Sequence, residues 1–593
     1  MDNEIREQHN MVELTGSLPN NSLTNEDIAP TKIAERSWSR WDIAALWIGM
    51  AVCIPTYMLA ASLLNEGMNW WQAILTVLIG NVVVLLPMIL NAHPGTKYGI
   101  PFPVLTRASF GTKGAHIPSI LRALVACGWF GIQTWIGGFA IYVCLIKFYP
   151  SIQSAEKLFI GINVWQLSCF LIFWACNMAI IVAGIESIRW LENYVAPILI
   201  LMGLGLLGWS LATVGMQKAL DNTQTFTQPA VVVSENFSSE TITLSLYALE
   251  SEGKSRVTQV VITENDRTTT VAYAKQITYK IQKLPQANEQ VTLGIVFRND
   301  QHQSKSIVKT LRYTPESSPS PPQKRDFWKI FFPLLTAIIG FWATLSLNIP
   351  DFTRYASSQK EHIAGQFIGL PLTMALYSFV GLIATSTGII LFSDILIAQD
   401  APWDPVTLLS RVEQPWIVVV AMIFIAIATL STNLAANVVA PANGFSNLYP
   451  QKISFTTGGL ITGIIGIAIC PWKLIESTQG YIFTWLIGYS ALLGPIAGIV
   501  IADYFLVRKT RLNLAALYDE NAEYSYTNGF NNVAIIALIL GVIPNIPGFL
   551  AACGFVNSVP QIFMTIYTYA WFVGFFISLF VYIVLMPKAK GDG

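Results

Sequence analysis

The apolar stretch CGWFGIQTWIGG carries an indole and a primary amide four residues apart. Trp129 and Gln133 therefore lie on the same face of a predicted helix. A flat heterocycle with amide groups could stack on the indole, while the amide donates and accepts hydrogen bonds along the edge of that ring. In the competing interpretation, Trp129 belongs to an interfacial aromatic belt and Gln133 bonds a neighbouring helix. Trp129 lies well inside the stretch, which argues against the belt, but the residues alone leave both interpretations open.

A second polar group lies in the stretch AIATLSTNLAANVVAPANG. Ala428, Ser431 and Thr432 have the spacing i, i+3, i+4 and share one helix face. Two hydroxyls, together with backbone carbonyls freed by a helix break, could coordinate a small hard cation through oxygen. Asn433 and Asn437 add further polarity to the same stretch. The competing interpretation is that these hydroxyls bond their own backbone or pack at a helix interface, as they more often do in membrane helices.

Ionisable groups are scarce in the apolar stretches. The five histidines fall outside the cores of these stretches, and the carboxylates identified in or beside them sit near the ends: Asp42, Glu186, Glu192, Asp394 and Asp503. Proton-coupled carriers usually keep a carboxylate or imidazole inside the membrane, so the pattern favours Na⁺ over H⁺ as a coupling ion. The sequence shows no metal-ligand cluster, nucleophile elbow or P-loop, and therefore gives no support to an enzyme or a self-contained ATP-driven pump.

The elements that must position these residues are membrane spans. Of 593 residues, 53% are hydrophobic and 12% are charged, and the mean hydropathy is +0.51. A soluble protein would carry roughly twice that charged fraction. About twelve stretches are long enough to cross a bilayer, and a formal net charge of zero suggests no nucleic-acid partner. We predict an all-α polytopic membrane protein with spans at 43–64, 70–92, 118–146, 160–184, 190–216, 327–350, 364–394, 415–440, 456–475, 481–506, 531–552 and 561–587.

Two of these spans contain residues that interrupt helices. Span one has Gly49 and Pro55 near its middle, and span six has Gly340 in its middle and Pro350 at its end. Broken backbone survives at membrane depth only where protein or a cavity satisfies the freed polar groups. Matched breaks in two halves of a membrane protein indicate a binding site at the midplane, so transport is the leading hypothesis.

The connecting segments predict orientation and domains. Alternate loops are rich in Lys and Arg, which places them and both termini in the cytoplasm, and the N-terminus lacks a cleavable signal pattern. Residues 217–326 carry roughly a third of the charge and alternate like several β-strands, so we predict an extracytoplasmic, β-sandwich-like insert that ends in a Pro/Ser linker. The predicted parts are a cytoplasmic tail (1–42), spans one to five (43–216), the insert (217–326), spans six to ten (327–506), and spans eleven and twelve with the C-terminal tail (507–593).

Several motifs together resemble the nucleobase:cation symporter-1 family, which includes a bacterial hydantoin transporter. They are WIGMAVCIPTYMLA, HPGTKYGIPFPVLTRASFG, GWFGIQTWIGG, WATLSLNIPDFTRYA, STNLAANVVAPANGFSNLYP, GPIAGIVIADYFLVRK and GFNNVAIIALILGVIPNIPGF. GWFGIQ and NIPDFTR are the most specific of these. The resemblance implies two inverted five-helix repeats, formed by spans one to five and six to ten, plus two extra helices.

The resemblance also implies roles for individual residues. The substrate would be sandwiched between two tryptophans, Trp129 and Trp342, and held by the amides of Gln133 and Asn437. Cys53 aligns close to a glutamine of the hydantoin transporter, and this difference bears on the identity of the substrate. The matching substrate-site positions are Cys53, Trp129, Gln133, Gly340, Phe341, Trp342 and Asn437. The sodium ligands would be Ala428, Ser431 and Thr432, with the backbone carbonyls of Gly49 and Val52.

These features predict a secondary transporter of the plasma membrane that imports uracil, cytosine, allantoin, a hydantoin or a related heterocycle with Na⁺ or H⁺. No other cofactor is expected, and the partners would be a small-molecule substrate and the lipid bilayer. The alternative from another class is a membrane sensor, in which the outward β-domain binds a ligand or partner and the spans relay the signal. The insert itself could be neutral, or could act in substrate capture, partner binding or oligomer contact, and its partner is unknown.

Overall fold

The computed structural model describes residues 5–16, 18, 21–183, 185–224, 230–234, 236–251, 254–287, 289–314, 326–400, 404–475, 479–556 and 558–586. Its first eight α-helices, which precede the insert, are α1 (Arg40–Ala51), α2 (Ile54–Asn65), α3 (Trp70–Tyr98), α4 (Phe102–Phe110), α5 (His116–Phe148), α6 (Val164–Ala183), α7 (Ile185–Thr213) and α8 (Met216–Asn222). The helices after the insert are α9 (Phe327–Asn348), α10 (Pro350–Thr353), α11 (Gln359–Leu391), α12 (Pro405–Ser410), α13 (Pro415–Asn437), α14 (Val439–Leu448), α15 (Phe455–Ala468), α16 (Ile487–Ile501), α17 (Asn532–Val542), α18 (Ile546–Ala552), α19 (Gln561–Thr568) and α20 (Ala570–Leu585). Two π-helical segments, Gln479–Leu486 and Ala502–Val507, flank α16.

Within the described residues, eight helices are long and apolar enough to cross a membrane, and the number rises to eleven if each of three bent pairs counts as one span. The bent pairs are α1 with α2 (59°), the Pro197–Thr213 part of α7 with α8 (94°), and α19 with α20 (84°). The ninth predicted span corresponds to α15, which has only 14 residues. The predicted class, an all-α polytopic membrane protein, is confirmed, with eleven spans on this count and α15 at the place of the twelfth.

The first span is broken between α1 and α2. Val52 and Cys53 have non-helical backbone angles (ψ 73° and 161°), and Pro55 follows at the start of α2, where its missing N–H costs nothing. The Cys53 N–H donates to the Ala51 carbonyl at 3.0 Å instead of to the Gly49 carbonyl that it would reach in a continuous helix. The break predicted from Gly49 and Pro55 is therefore present, and it frees backbone carbonyls at the centre of the bundle.

The sixth span is not broken at Gly340, contrary to the interruption expected from its sequence. Helix α9 runs without interruption from Phe327 to Asn348, and the chain bends only at Ile349–Pro350, where α10 begins. A Cβ atom on Gly340 would lie 2.7 Å from the Leu486 carbonyl oxygen, so this glycine allows α9 to pack closely against the π-helical segment before α16. The matched-break argument was therefore wrong for the middle of span six.

The strands are β1 (Ile5–Gln8), β2 (Met11–Leu14), β3 (Val231–Val232), β4 (Asn236–Phe237), β5 (Thr241–Leu246), β6 (Glu250–Ser251), β7 (Lys254–Ser255), β8 (Gln259–Glu264), β9 (Arg267–Ala272), β10 (Gln276–Lys280), β11 (Gln290–Arg298) and β12 (Ile307–Tyr313). Strands β1 and β2 form a hairpin in the N-terminal segment. In the insert, one sheet has the order β10-β5-β3, a second has the order β4-β12-β11-β8-β9, and β6 pairs with β7. The three-stranded and five-stranded sheets share one hydrophobic core, to which both contribute alternate apolar side chains.

This core also includes residues that follow α11 outside the insert. Leu396 and Ile397 are fully buried in it, and the Leu249 N–H donates to the Leu396 carbonyl at 3.1 Å. The Arg256 guanidinium donates to three carbonyls at the C-terminal end of α11, those of Ile389 (2.5 Å), Ile390 (3.0 Å) and Phe392. The β-rich insert is thus docked on the end of α11 and on the segment that follows it.

Candidate functional site

A pocket lies where the break of span one faces helices α5, α9 and α13. About 340 Å³ within it is free of protein atoms, open space at its mouth included. Its walls combine aromatic rings with a few amide, thiol and hydroxyl groups. The lining residues are Met50, Cys53, Pro55, Trp129, Gln133, Phe341, Trp342, Thr344, Leu345, Thr432, Ala436 and Asn437.

The structure brings most of the predicted substrate-site residues together at this pocket. From four separate elements, Cys53, Trp129, Gln133, Phe341, Trp342 and Asn437 all line its wall. Gly340 does not, because it faces Leu486 on the other side of α9. The sequence did not indicate Thr344 or Leu345, which follow Trp342 on α9 and line the pocket beside it.

The aromatic side chains of the pocket form a series of edge-to-face contacts. The Trp129 ring lies 5.3 Å from the Phe341 ring at 74°, and Phe341 lies 4.9 Å from Trp342 at 83°. Trp342 in turn meets Trp47 of α1 at 5.2 Å and 82°. Both tryptophans therefore line one cavity, and each contacts Phe341. A flat ring held between the two indoles stays a prediction, and Phe341 is the side chain that such a ring would have to pack against.

Trp129 is held in its orientation by α16 and by the π-helical segment that precedes it. Its Nε1–H donates to the Tyr489 hydroxyl at 3.2 Å, and its ring lies 6.2 Å from Trp485. Gly128 leaves room for the Trp485 ring, since a Cβ atom at position 128 would lie 2.2 Å from that ring. Tyr489 was not among the predicted site residues, and its only local signal is a phenol inside a largely apolar stretch.

Two polar atoms at the pocket are buried without a hydrogen-bond partner in the described part of the chain. They are Gln133 Oε1, an acceptor, and Trp342 Nε1, a donor. Gln133 is 2% exposed and Trp342 is 3% exposed. A buried polar atom without a partner costs free energy, so both atoms mark places where a ligand would gain by supplying the missing partner.

Two of the predicted cation ligands, Thr432 and Gly49, are in direct contact beside the pocket. The Thr432 hydroxyl donates a 3.2 Å hydrogen bond to the Gly49 carbonyl, which the helix break has freed. Ala428 and Ser431 are fully buried on the same helix as Thr432, and Val52 lies at the break itself. The structure thus joins Thr432 to Gly49 directly, while roles for Ala428, Ser431 and Val52 in binding a cation stay predictions.

The protein buries charged and titratable groups that the sequence placed at or beyond the ends of spans. Arg122, two turns before Trp129 on α5, donates to Asn348 Oδ1 at 2.8 Å and contacts the Ala436 carbonyl at 3.4 Å. Asp351, just after span six, is 2% exposed, and His362 on α11 is fully buried. The argument for Na⁺ from missing buried carboxylates and imidazoles is therefore weaker than the sequence suggested.

A family model described as "Permease for cytosine/purines, uracil, thiamine, allantoin" matches residues 30–244 and 316–574. The unmatched stretch between them contains most of the β-rich insert. A purine–uracil permease of Arabidopsis thaliana is 38% identical over 96% of this chain and 78% of its own length. An allantoin permease of Bacillus subtilis is 32% identical, with 95% and 94% covered. A hydantoin permease of Microbacterium maritypicum is 26% identical, with 87% and 82% covered.

Solved structures agree in fold. A nucleobase-cation-symport-1 family transporter, in a closed conformation with bromovinylhydantoin bound, superposes with a TM-score of 0.62 at 21% identity, with 95% of each chain covered. A Na⁺-coupled sialic acid symporter, covering 94% of this chain and 92% of its own, gives 0.52 at 11% identity. The predicted fold class is confirmed. The chain belongs to the family of permeases for cytosine/purines, uracil, thiamine and allantoin, and it is a multi-pass membrane transporter, not an enzyme.

Proposed function

We propose that this permease imports a small planar nitrogen heterocycle by cation symport across the plasma membrane, with both termini in the cytoplasm. The candidate substrates are uracil, cytosine, allantoin and hydantoins. The observation that carries the proposal is the convergence of Trp129, Gln133 and Asn437 on one small pocket beside the Thr432–Gly49 contact. Membership of a permease family supports a carrier over a membrane sensor.

The pocket supplies the two kinds of contact that a flat heterocycle needs. Trp129 and Trp342 offer large apolar faces for the ring, and stacking on such faces is favourable for any flat aromatic or conjugated system. Gln133 and Asn437 offer amide groups, each of which can both donate and accept a hydrogen bond. In this proposal the rings set affinity, and the amides determine which edges of a heterocycle are accepted.

The coupling ion would bind where the broken first span meets α13. Oxygen ligands are preferred by small hard cations, and a hydroxyl with freed carbonyls provides them. A cation at this point would pull the carbonyls of the break toward Thr432 and so stabilise the pocket wall formed by Met50 and Cys53. Linkage then requires that the substrate raise the affinity for the cation by the same factor as the cation raises the affinity for the substrate.

Uptake by purified protein in liposomes tests the proposal. Labelled uracil, allantoin and hydantoin are supplied outside, with and without an inward Na⁺ or H⁺ gradient. We expect gradient-dependent accumulation of at least one of them. The Trp129→Ala variant should lose about fivefold or more in apparent affinity, since stacking on an aromatic side chain contributes about 1–3 kcal/mol.

The matched control is Trp135→Ala. Trp135 lies on the same helix and is buried, but it packs on Phe139 and Trp472 instead of lining the pocket. Both variants are first compared by thermal unfolding in detergent. Full uptake by a folded Trp129→Ala protein, or accumulation of no heterocycle by the unmodified protein, would contradict the proposed function.

A further inference from the structure

Three buried asparagines form a directed hydrogen-bond chain that ends at the pocket. Asn437 Nδ2 donates to Asn433 Oδ1 at 3.1 Å, and Asn433 Nδ2 donates to Asn177 Oδ1 at 3.1 Å. Asn177 Nδ2 completes the chain by donating to the Phe173 carbonyl at 2.9 Å. Asn177 and Asn433 are fully buried, and Asn437 is 7% exposed on the pocket wall. Asn177 lies on α6 and was not indicated by the sequence analysis.

The direction of this chain is fixed by its surroundings. Asn433 Nδ2 faces the Phe130 carbonyl (3.3 Å) and the Thr134 hydroxyl (3.1 Å) as well as Asn177 Oδ1. The Thr134 hydroxyl already donates to the Phe130 carbonyl at 2.7 Å, so it meets Asn433 as an acceptor. A rotated Asn433 amide would place its oxygen against three acceptors, which is unfavourable in a buried site. The oxygen of Asn433 must therefore face Asn437.

The fixed orientation of the Asn433 amide also fixes the orientation of Asn437 at the pocket. Because Asn433 presents an oxygen, Asn437 must turn its Nδ2 toward it, and the carbonyl oxygen of Asn437 then points away from the chain. Gln133 Oε1, also at the pocket wall, is a buried acceptor without a partner in the described part of the protein. The amide edge of the pocket thus presents two acceptors, while Trp342 Nε1 provides an unpaired donor on another wall.

We propose that Asn177 and Asn433 are positioning residues that hold Asn437 as an acceptor, and that the permease thereby selects heterocycles with two N–H donors along one side and a carbonyl on another. Hydantoins, other cyclic ureides and uracil have this pattern. The inference rests on the proposed function, because it assigns a specificity to the same pocket. A ring whose donor nitrogens are alkylated would leave both acceptors, Gln133 Oε1 and the carbonyl oxygen of Asn437, without a donor.

The expected penalty for alkylation is measurable. Leaving a buried acceptor unsatisfied should weaken binding about 5- to 150-fold, which corresponds to about 1–3 kcal/mol. Purified full-length protein is titrated with hydantoin, uracil and allantoin, and with the N,N-dimethyl derivatives of hydantoin and uracil, by calorimetry or by thermal shift. The quantity of interest is the ratio of dissociation constants for each dimethyl compound and its parent.

Three variants test the role of the asparagine chain. Asn433→Leu removes the oxygen that orients Asn437, so we expect the ratio to fall toward one. Asn177→Leu should lower it in the same direction. Asn177→Asp should keep it, because a protonated carboxyl can accept from Asn433 and donate to the Phe173 carbonyl as the amide does. Asn81→Leu is the control, since Asn81 is fully buried on α3 and its Nδ2 bonds only its own helix, at Val77.

The outcomes are distinguishable. A lower ratio in Asn433→Leu or Asn177→Leu, with the Asn81→Leu ratio unchanged, supports the positioning role. Equal binding of parent and dimethyl compounds by the unmodified protein, or an unchanged ratio in every folded variant, overturns the inference and leaves the proposed function standing. If the unmodified protein binds none of the heterocycles, the proposed function itself fails and the inference fails with it.

Discussion

The hydroxyl of Thr432 donates to the carbonyl oxygen of Gly49, 3.2 Å away across the junction of α13 and the broken first span. Two other buried hydroxyls bond their own helix: Thr429 donates to the Ile425 carbonyl at 2.8 Å, and Ser62 donates to the Met58 carbonyl at 2.6 Å. Thr432 instead reaches an acceptor that exists only because the span is broken. This contact makes the polarity of α13 and the irregular backbone of span one parts of one site.

Thr432→Val should remove this contact with little change in side-chain volume. If Thr432 and Gly49 bind the coupling ion, the Na⁺ concentration that half-maximally enhances heterocycle binding should rise about tenfold or more, since a lost oxygen ligand cannot be replaced by a methyl group. The measurement is the dissociation constant of the heterocycle across a Na⁺ series. Thr429→Val is the matched control, because its hydroxyl bonds only α13. An unchanged Na⁺ dependence in Thr432→Val would exclude this residue as a ligand.

Gly340→Ala should destabilise the protein, although Gly340 itself does not line the pocket. The added Cβ would lie 2.7 Å from the Leu486 carbonyl oxygen and 3.2 Å from Ser490 Cβ, so α9 and the segment before α16 must separate. Overpacking of this kind costs about 1–3 kcal/mol. Thermal unfolding in detergent provides the comparison, with Gly205→Ala on α7 as the control, since nothing lies within 4 Å of a Cβ there. Equal unfolding temperatures for Gly340→Ala and Gly205→Ala would contradict this prediction, because they would show that α9 and its neighbour accommodate the added methyl group without loss of stability.

Tyr489→Phe should reduce substrate affinity through Trp129. The phenol oxygen accepts the indole N–H at 3.2 Å, and its loss frees the ring to tilt in the pocket. A neutral hydrogen bond contributes about 0.5–1.5 kcal/mol, so we expect a roughly two- to tenfold increase in the dissociation constant with little change in folding. Titration of the purified variant measures this effect. Tyr377→Phe, a buried phenol on α11 outside the pocket lining, should bind like the unmodified protein.

The sequence predicted individual residues of the site better than the contacts between them. Trp129, Gln133 and Asn437 could be singled out because aromatic and amide groups are conspicuous in an apolar span, and the break at Gly49–Pro55 because proline and glycine act locally. Gly340 could not be interpreted in the same way, since a helical glycine can mark either a break or a close contact, and only the Leu486 carbonyl decides between them.

Hydrogen bonds between residues far apart in the chain could not be predicted from the sequence. Tyr489 lies 360 residues from Trp129, and Asn177 lies 256 residues from Asn433. Neither relationship leaves a local signal, because hydrogen bonds between spans depend on which helices pack together. The burial of Asp351 was missed for a similar reason. This residue follows a span in sequence, yet α10, which carries it, packs on α3, and the Phe102 N–H of α4 donates to its carboxylate at 2.9 Å.

The docking of the β-rich insert leads to a prediction that separates a neutral insertion from a structural part of the transporter. Arg256 donates to carbonyls at the C-terminal end of α11, where a cation also meets the negative end of the helix dipole. Arg256→Ala should therefore loosen this end of α11. The control is Arg298→Ala, since Arg298 is an exposed residue on β11. We expect Arg256→Ala to show faster amide hydrogen exchange in residues 389–397 and a lower unfolding temperature than this control.

Deletion of residues 230–314 should accelerate this exchange and lower the unfolding temperature more than Arg256→Ala does. It would expose Leu396 and Ile397, which are fully buried in the core that they share with both insert sheets. Full burial of such side chains contributes about 1.5–3 kcal/mol each, so the deletion should lower the unfolding temperature even if a short linker joins α8 to α9. A merely tolerated insertion would leave both the exchange of residues 389–397 and the unfolding temperature unchanged in the two altered proteins, because such an insertion contributes nothing to the stability of α11.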